Sequence, residues 1–204
     1  MSRADTSDLT RRLERAPLAI GVASLTWCAL TWVQTRAYQR EHTMALEGMV
    51  AAPPRAAVAP QAPESMTPGS VIGVLHIPRL GVSTVVAEGD DTATLKVAIG
   101  HLPDTPMPWK DGNSALAAHR DTFFLPLQHI HVGDELRVST PHGDFRYHVR
   151  ETMVVGPNDV WVLDPTDRPT LTLITCYPFR YVGNAPRRFI VRAERTTGAE
   201  AKEV

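Results

Sequence analysis

The chain has 204 residues, of which 43% are hydrophobic and 21% charged, and this composition excludes a disordered or collagen-like protein. Its 21 lysines and arginines nearly balance its 22 acidic residues, so no net basic charge favours binding to nucleic acid. The two cysteines, Cys28 and Cys176, are too few and too far apart for a disulfide framework or a cysteine-rich zinc site.

An uncharged run, 16–35, lies near the start of the chain and has arginine on both sides. At about 1.5 Å per residue, a helix of this length spans roughly the 30 Å of a membrane's hydrocarbon core. We therefore predict one transmembrane helix over 16–36. More arginines precede the run than closely follow it, which favours a cytoplasmic N-terminal segment, 1–15. A cleaved signal peptide, with small residues near 50–52, and a buried soluble helix are the alternatives.

Residues 37–69 are predicted to form a linker between this helix and the rest of the chain. Its later part, 48–69, contains five prolines and no aromatic residue. Such a segment cannot bury enough apolar surface to fold, and its prolines favour an extended conformation. We therefore predict a stalk, rich in proline and alanine, that holds the following domain away from the membrane. The last residues, 196–204, are predicted to be a disordered tail.

Between residues 70 and 195 the sequence consists of short β-rich runs separated by glycine, proline and aspartate. This spacing predicts one all-β domain, a barrel or a sandwich, with a single hydrophobic core. Short helical turns are predicted at 90–95, where an N-cap signature occurs, and at 123–127. The predicted strands are 71–77, 83–87, 114–118, 135–140, 145–155, 170–176 and 188–194.

The cysteine of this domain, Cys176, ends the predicted strand 170–176. If the next strand is its hairpin neighbour, Arg188 lies beside Cys176 at one rim of the sheet. Acyl transfer needs such a pair, because the thiol is the nucleophile and the guanidinium stabilises the oxyanion that forms on the attacked carbonyl. Strand parity favours Arg188 over Arg187, which remains an alternative. On composition alone, a lone cysteine in a strand is more often structural.

A cysteine nucleophile also needs a proton partner, which is usually a histidine. His119 directly follows the predicted strand 114–118 and precedes a polar turn, so it also lies at a strand exit. His142 lies in a turn, whereas His76 and His148 lie within strand patterns that suit surface or core positions. His119 is therefore the candidate general acid and base, although a histidine at a strand end is common in proteins without this chemistry.

Three separated motifs of the β-rich region occur together in a known protein family. Residues 118–122 read Ala-His-Arg-Asp-Thr, residues 172–176 read Thr-Leu-Ile-Thr-Cys, and residues 185–193 read Ala-Pro-Arg-Arg-Phe-Ile-Val-Arg-Ala. They resemble the GHRDT, TLxTC and arginine-strand motifs of the sortases, which are membrane-anchored cysteine transpeptidases. The segment Cys-Tyr-Pro-Phe at 176–179 is most similar to class D sortases. The resemblance covers roughly residues 70–195.

Two positions depart from the sortase pattern. Ala118 replaces the usual glycine before the histidine, and its extra methyl group is expected to narrow the pocket without changing the chemistry. Residues 103–105 read Pro-Asp-Thr, where Pro-Gly-Thr is more usual, and this change affects a loop.

The resemblance implies a closed sortase-type β-barrel with short helices that acts as a cysteine transpeptidase. Cys176 would attack the threonine carbonyl of an LPxTG-like sorting signal, and an amine acceptor of the cell envelope would resolve the thioacyl enzyme. His119 would be the general acid and base, and Arg188 would position the substrate and stabilise the oxyanion. Only enzyme that holds thiolate and imidazolium together is competent, so we expect a bell-shaped pH dependence of turnover.

Substrate-binding residues are expected on the segments that flank the same rim. Val160 and Trp161, in the loop before the cysteine strand, would line an apolar trough for a Leu-Pro pair, although Trp161 suits plain packing equally well. Tyr181 would face the acceptor, and Thr175 and Ala118 adjoin the reacting groups. No cofactor is expected, and no metal is predicted, because carboxylates are few and no EF-hand spacing occurs. A cation bound by Asp159 or Asp164 is the alternative.

The resemblance also implies a location and partners. The chain would be a single-pass protein of the cell membrane, with its catalytic domain on the extracytoplasmic side. Its partners would be proteins with a C-terminal LPxTG-like sorting signal and an amine acceptor, which is a cell-wall precursor or a protein amine. Two other classes remain open: a cysteine hydrolase that uses the same Cys-His-Arg site with water, and a non-catalytic envelope-binding module.

Overall fold

The computed structural model describes residues 5–50 and 66–196 of the chain. The chain divides into two compact units, the first ending at Tyr38 and the second beginning at Gln39. Part of the predicted linker, 51–65, lies outside the described residues, as does most of the predicted tail.

Helix α1, Asp5–Val50, contains the predicted membrane segment and continues through residues 37–50 of the predicted linker. Within its uncharged run, the hydroxyls of Thr26, Thr31 and Thr35 donate to carbonyls one turn earlier, at 2.8, 3.1 and 3.0 Å. These bonds satisfy the hydroxyl groups inside the helix but leave the run only moderately apolar.

The membrane prediction is not confirmed by the described part of the chain. None of its helices combines the length and the mean hydropathy that a membrane span requires. The uncharged run has the length, but its serine, threonine and glutamine residues lower its hydropathy.

The second unit contains a closed β-barrel, which confirms the fold that the resemblance implied. The strands close in the order β1-β2-β3-β4-β7-β8-β6-β5. The β2–β3 and β4–β7 pairs are parallel and the other pairs are antiparallel. The strands are β1 (Val71–Ile77), β2 (Val82–Glu88), β3 (Ile99–His101), β4 (Asn113–Ala117), β5 (Glu135–Thr140), β6 (Gly143–Val155), β7 (Thr170–Tyr177) and β8 (Arg187–Arg195).

Seven of these strands were predicted to within two residues at each end. Their alternation of buried and exposed side chains carries the signal: in β5, for example, Leu136 and Val138 are fully buried, whereas their neighbours are partly exposed. The inward side chains of the strands meet in one core, to which β7 contributes Leu171 and Leu173. Of the outward side chains of β7, Ile174 and Cys176 are partly exposed and are therefore available to a site on the outer face.

Strand β3, Ile99–His101, was not predicted. It is short, and its central Gly100 interrupts any apolar alternation. The glycine is required by the packing, because a Cβ atom at this position would lie 2.2 Å from the carbonyl oxygen of Gly89. A close backbone approach of this kind leaves no periodic signal in the sequence.

Short helices connect the strands. Helix α2, Thr92–Val97, confirms the turn predicted at 90–95, and the Asp91 carboxylate caps it by accepting from the amides of Ala93 and Thr94 at 2.8 and 3.2 Å. The turn predicted at 123–127 occurs two residues later. The 3₁₀ helices are Pro78–Leu80, Leu125–His129 and Val160–Leu163, and the last of these lies in a segment predicted to be a loop.

Candidate active site

The register of β7 and β8 brings a cysteine and an arginine together. Cys176 pairs directly with Arg188, one pair before the end of the antiparallel β7–β8 ladder. Directly opposed residues of an antiparallel pair point to the same face of a sheet. Their side chains therefore share one face at one rim of the barrel, which is the juxtaposition that the sequence predicted.

The histidine reaches the same rim from the other side of β7. Strand β4 runs parallel to β7, and the last residue of β4, Ala117, pairs with Ile174. The chains stay together beyond that point, because the Thr175 hydroxyl donates to the Ala118 carbonyl at 2.8 Å. One residue further on, His119 and Cys176 lie at the same level on adjacent strand ends.

The face that these three residues share is the outer face of the barrel. The residues next to Cys176 and His119, Thr175 and Ala118, are buried and point inward. Because side chains alternate along a strand, Cys176 and His119 point outward. Cys176 is half-buried and His119 is exposed. A substrate on the outer face can therefore reach the sulfur, which lies between the histidine and the arginine.

Arg188 is half-buried and its position is fixed by its own loop. Its Nη1 atom donates to the carbonyls of Ala185 and Arg187 at 3.3 and 3.1 Å. Among the described residues, its Nε and Nη2 atoms have no hydrogen-bond partner, so these donors are available to an oxyanion. Arg187 pairs with Tyr177 and therefore points to the opposite face, away from Cys176.

The outer face continues from the rim as an apolar floor. Ile174 lies between Ala117 on β4 and Ile190 on β8, so three apolar side chains line up across the strands behind the cysteine. Beyond this floor, the 160–163 helix covers the sheet. Within this helix, Val162 is buried, whereas Val160 and Trp161 are 69% and 45% exposed. The two exposed side chains are thus on the surface beside the floor, where they were expected to contact substrate.

A buried asparagine holds the 160–163 helix on the sheet. The Asn113 side-chain amide donates to the carbonyls of Val162 and Asp164 at 2.9 and 3.1 Å, and its oxygen accepts from the Thr172 hydroxyl at 2.6 Å. Arg192 donates to the Val162 carbonyl at 3.2 Å and lies 5.3 Å from the Trp161 ring centroid. The 160–163 helix, which borders the apolar floor, is therefore held in place by a network of hydrogen bonds from β4, β7 and β8.

The sequence analysis missed these anchoring residues. Their partners are distant along the chain, so no local pattern reveals them. Only the structure shows that Asn113 and Thr172, at outward positions of their strands, are both fully buried. Polar side chains that are buried under a loop usually hold that loop by hydrogen bonds.

Two predicted substrate-contacting residues point away from the outer face. The Ala118 side chain is 6% exposed and belongs to the hydrophobic core, so the prediction that its methyl group narrows the pocket is wrong. The reason is strand parity, because Ala118 immediately precedes the outward His119. Thr175 is also buried inward, and its hydroxyl joins β7 to β4. Tyr181 is 49% exposed in the segment between β7 and β8.

Among the residues whose side chains the structure describes, no three His, Cys, Asp or Glu side chains gather into a possible metal site. The Asp159 carboxylate accepts from the Gly156 amide at 2.6 Å and closes a turn before the 160–163 helix. This turn fixes the start of the helix that covers the outer face.

The comparison with known sequences identifies relatives of the barrel. A family model described as the Sortase domain matches residues 75–196. Sortase D of Bacillus subtilis (strain 168) is 36% identical over 130 residues, which cover 63% of this chain and 66% of that protein. Sortase SrtE1 of Streptomyces coelicolor is 34% identical over 137 residues, 58% of this chain and 39% of that protein. The chain thus matches less than two thirds of the length of either relative.

Solved structures share the fold. A Clostridium perfringens Sortase D5 transpeptidase superposes with a TM-score of 0.66 and 26% identity, covering 79% of this chain and 99% of that one. The SrtA sortase from Actinomyces oris gives a TM-score of 0.59 and 30% identity, covering 68% and 86% of the two chains. Since the family model matches more than half of the sequence and the barrel brings the three motifs to one rim, the chain belongs to the sortase family.

Proposed function

We propose that the chain is a cysteine transpeptidase that cleaves an LPxTG-like sorting signal and joins the new carboxyl end to an amine. The observation that carries this proposal is the shared outer face of Cys176, His119 and Arg188 at the ends of three adjacent strands. A nucleophile, a proton carrier and a fixed cation in one place are the groups that acyl transfer requires.

In the first half-reaction, the Cys176 thiolate attacks the threonine carbonyl and a carbon–sulfur bond forms. The electron pair of the carbonyl moves to its oxygen, which the Nε and Nη2 donors of Arg188 stabilise. Collapse of this intermediate breaks the peptide carbon–nitrogen bond, and His119 as imidazolium protonates the departing amine. The product is a thioacyl enzyme.

In the second half-reaction, a primary amine attacks the thioester carbonyl and neutral His119 accepts a proton from it. The new carbon–nitrogen bond replaces the carbon–sulfur bond, and the thiolate is restored. The acyl part of the substrate lies on the partly exposed side of the floor, Ala117 and Ile174, since Ile190 is fully buried. Val160 and Trp161, exposed on the 160–163 helix, contact its Leu-Pro pair.

The test is a ligation assay with the full chain. A peptide library with LPxTG-like ends is incubated with the protein and a primary amine, and the products are identified by mass spectrometry. We expect a product in which the amine is joined to the threonine carboxyl. A free acid as the sole product at every amine concentration would identify a hydrolase instead, and no cleavage of any peptide would contradict both activities.

The two neighbouring arginines provide a matched pair for testing the oxyanion role. Arg188→Ala is expected to lower kcat/KM for thioacyl formation by about 10²–10³-fold, the usual effect of removing one oxyanion donor. Arg187→Ala should leave it nearly unchanged, because its side chain points to the opposite face. The measurement is the rate of leaving-peptide release. A larger loss in Arg187→Ala than in Arg188→Ala would overturn the assignment.

We also propose that helix α1 attaches the enzyme to the cell membrane, with the catalytic domain on the extracytoplasmic side. The support is the uncharged run 16–35, in which Ile20, Leu25 and Trp27 are 67%, 71% and 71% exposed. The full chain is expected to stay in the membrane fraction after an alkaline wash, and its catalytic domain should be digested by protease added outside the cell. Release into the soluble fraction would contradict the anchor.

A further inference from the structure

Arg120, which directly follows the candidate general acid and base, joins two segments of the rim. Its Nη2 atom donates to the carbonyls of Tyr181 and Gly183 at 2.9 and 3.1 Å. Its guanidinium carbon also lies 5.7 Å from the centroid of the Tyr181 ring. Both bonds come from one guanidinium nitrogen, and the guanidinium also lies near the face of the ring, which adds a cation–π contact.

The backbone around Arg120 is held in place by hydrogen bonds. It lies in a turn that is closed on the His119 carbonyl, which accepts from the amides of Thr122 and Phe124 at 3.4 and 3.2 Å. Phe124 is fully buried in the core. The guanidinium therefore extends from a fixed turn, and the segment that it reaches is fixed relative to His119.

The segment that Arg120 holds has few other attachments. Residues 180–184 are all exposed, and Val182 is 98% exposed. In the described part of the chain, no backbone hydrogen bond joins residues 178–186 to the barrel. Side-chain bonds reach the segment from Arg120 and from Arg188, which holds Ala185, and Phe179 packs against the barrel core at the start of the segment. Loss of Arg120 would thus free the middle of the segment while both of its ends stayed anchored.

The position of segment 178–186 relative to the Cys176 sulfur determines which part of the substrate the segment contacts. In the proposed reaction, the acyl chain lies on the floor behind Cys176, toward the 160–163 helix. The departing amine must then lie on the other side of the sulfur, beyond the rim. The incoming amine attacks the same carbonyl and exchanges a proton with the same His119, so it occupies that side too. The segment 178–186 and the turn after His119 form the walls there.

We propose that Arg120 is a positioning residue for the second half-reaction: by holding Tyr181 and Gly183, it fixes the wall along which the amine acceptor approaches the thioester. This inference rests on the proposed transpeptidase function. Arg120 does not touch the reacting atoms and acts through the segment that it holds. Its loss should therefore impair the use of the amine and spare formation of the thioacyl enzyme.

The test compares the two half-reactions in full-length variants. Arg120→Ala is expected to raise the KM for the amine by about tenfold or more and to shift products toward the hydrolysed acid, with leaving-peptide release nearly unchanged. Arg120→Lys, which keeps the charge on a shorter side chain, should fall between. Arg180→Ala, at an exposed arginine of the same segment, is the matched control and should behave as the unaltered chain.

A second readout follows the segment itself. Hydrogen exchange of amides in 180–184 should become faster in Arg120→Ala, whereas exchange in the core strands should not change. An unchanged product ratio, unchanged exchange, or an equal loss in both half-reactions would overturn the proposal. If the unaltered chain formed no thioacyl enzyme, the proposed function would fail, and the exchange measurement would still show whether Arg120 holds the segment.

Discussion

Cys176→Ala is expected to abolish cleavage and ligation, with a loss of about 10⁶-fold, the scale seen when an enzyme loses its nucleophile. Water cannot replace the sulfur, because the half-reactions are linked through a covalent acyl group on that atom. The measurement is the intact mass of the protein after incubation with substrate. The unaltered chain should gain the mass of the acyl fragment, and the variant should not.

The second cysteine supplies the control. Cys28 lies on helix α1, outside the barrel, and Cys28→Ala should form the acyl adduct at the normal rate. Both variants should retain the thermal stability of the unaltered barrel, since Cys176 is half-buried and outside the core. A Cys176→Ala protein that still ligated peptides would remove the catalytic assignment.

His119→Ala is expected to lower turnover by about 10²–10⁴-fold, the usual contribution of a positioned acid and base. The unaltered enzyme should have a bell-shaped pH profile, because it needs thiolate and imidazolium together. Without the imidazole, the residual rate of thioacyl formation depends on thiolate alone. The profile of the variant should therefore rise with pH to a plateau, and the falling limb at high pH should be absent.

An exposed histidine on the Leu125–His129 helix provides the comparison. His129 contacts Arg79 through its backbone carbonyl, so His129→Ala removes no described side-chain bond. It should keep both the rate and the bell-shaped profile. A bell-shaped profile in His119→Ala, with both limbs in place, would show that another group carries the proton.

The parts of the fold that sequence alone predicts are those with a local signal. Strand β5 has strict alternation, and β7 ends at Tyr177, directly before Pro178, so both were located closely. The meeting of Cys176 and Arg188 followed from a hairpin register, which is also local.

The parts that sequence did not predict depend on distant contacts. The three residues of β3 form a strand because they pair with β2 on one side and with β4 on the other. The 160–163 helix is held by Asn113, which lies 49 positions from Val162. The inward direction of the Ala118 side chain follows from strand parity with His119. The prediction from the motif considered the size of the residue and not the face on which it lies. Helix α1 continues past residue 36 because no proline or glycine stops it before Gly48.

Closure of the barrel also limits how a peptide can be recognised. Strand β7 has β4 on one side and β8 on the other, so its backbone amides and carbonyls are already used in ladders. A substrate cannot extend the sheet next to the nucleophile as an added strand. Discrimination between peptides must therefore come from side chains and loops on the barrel surface, and exchanging those groups should redirect the enzyme to other sequences without rebuilding its framework.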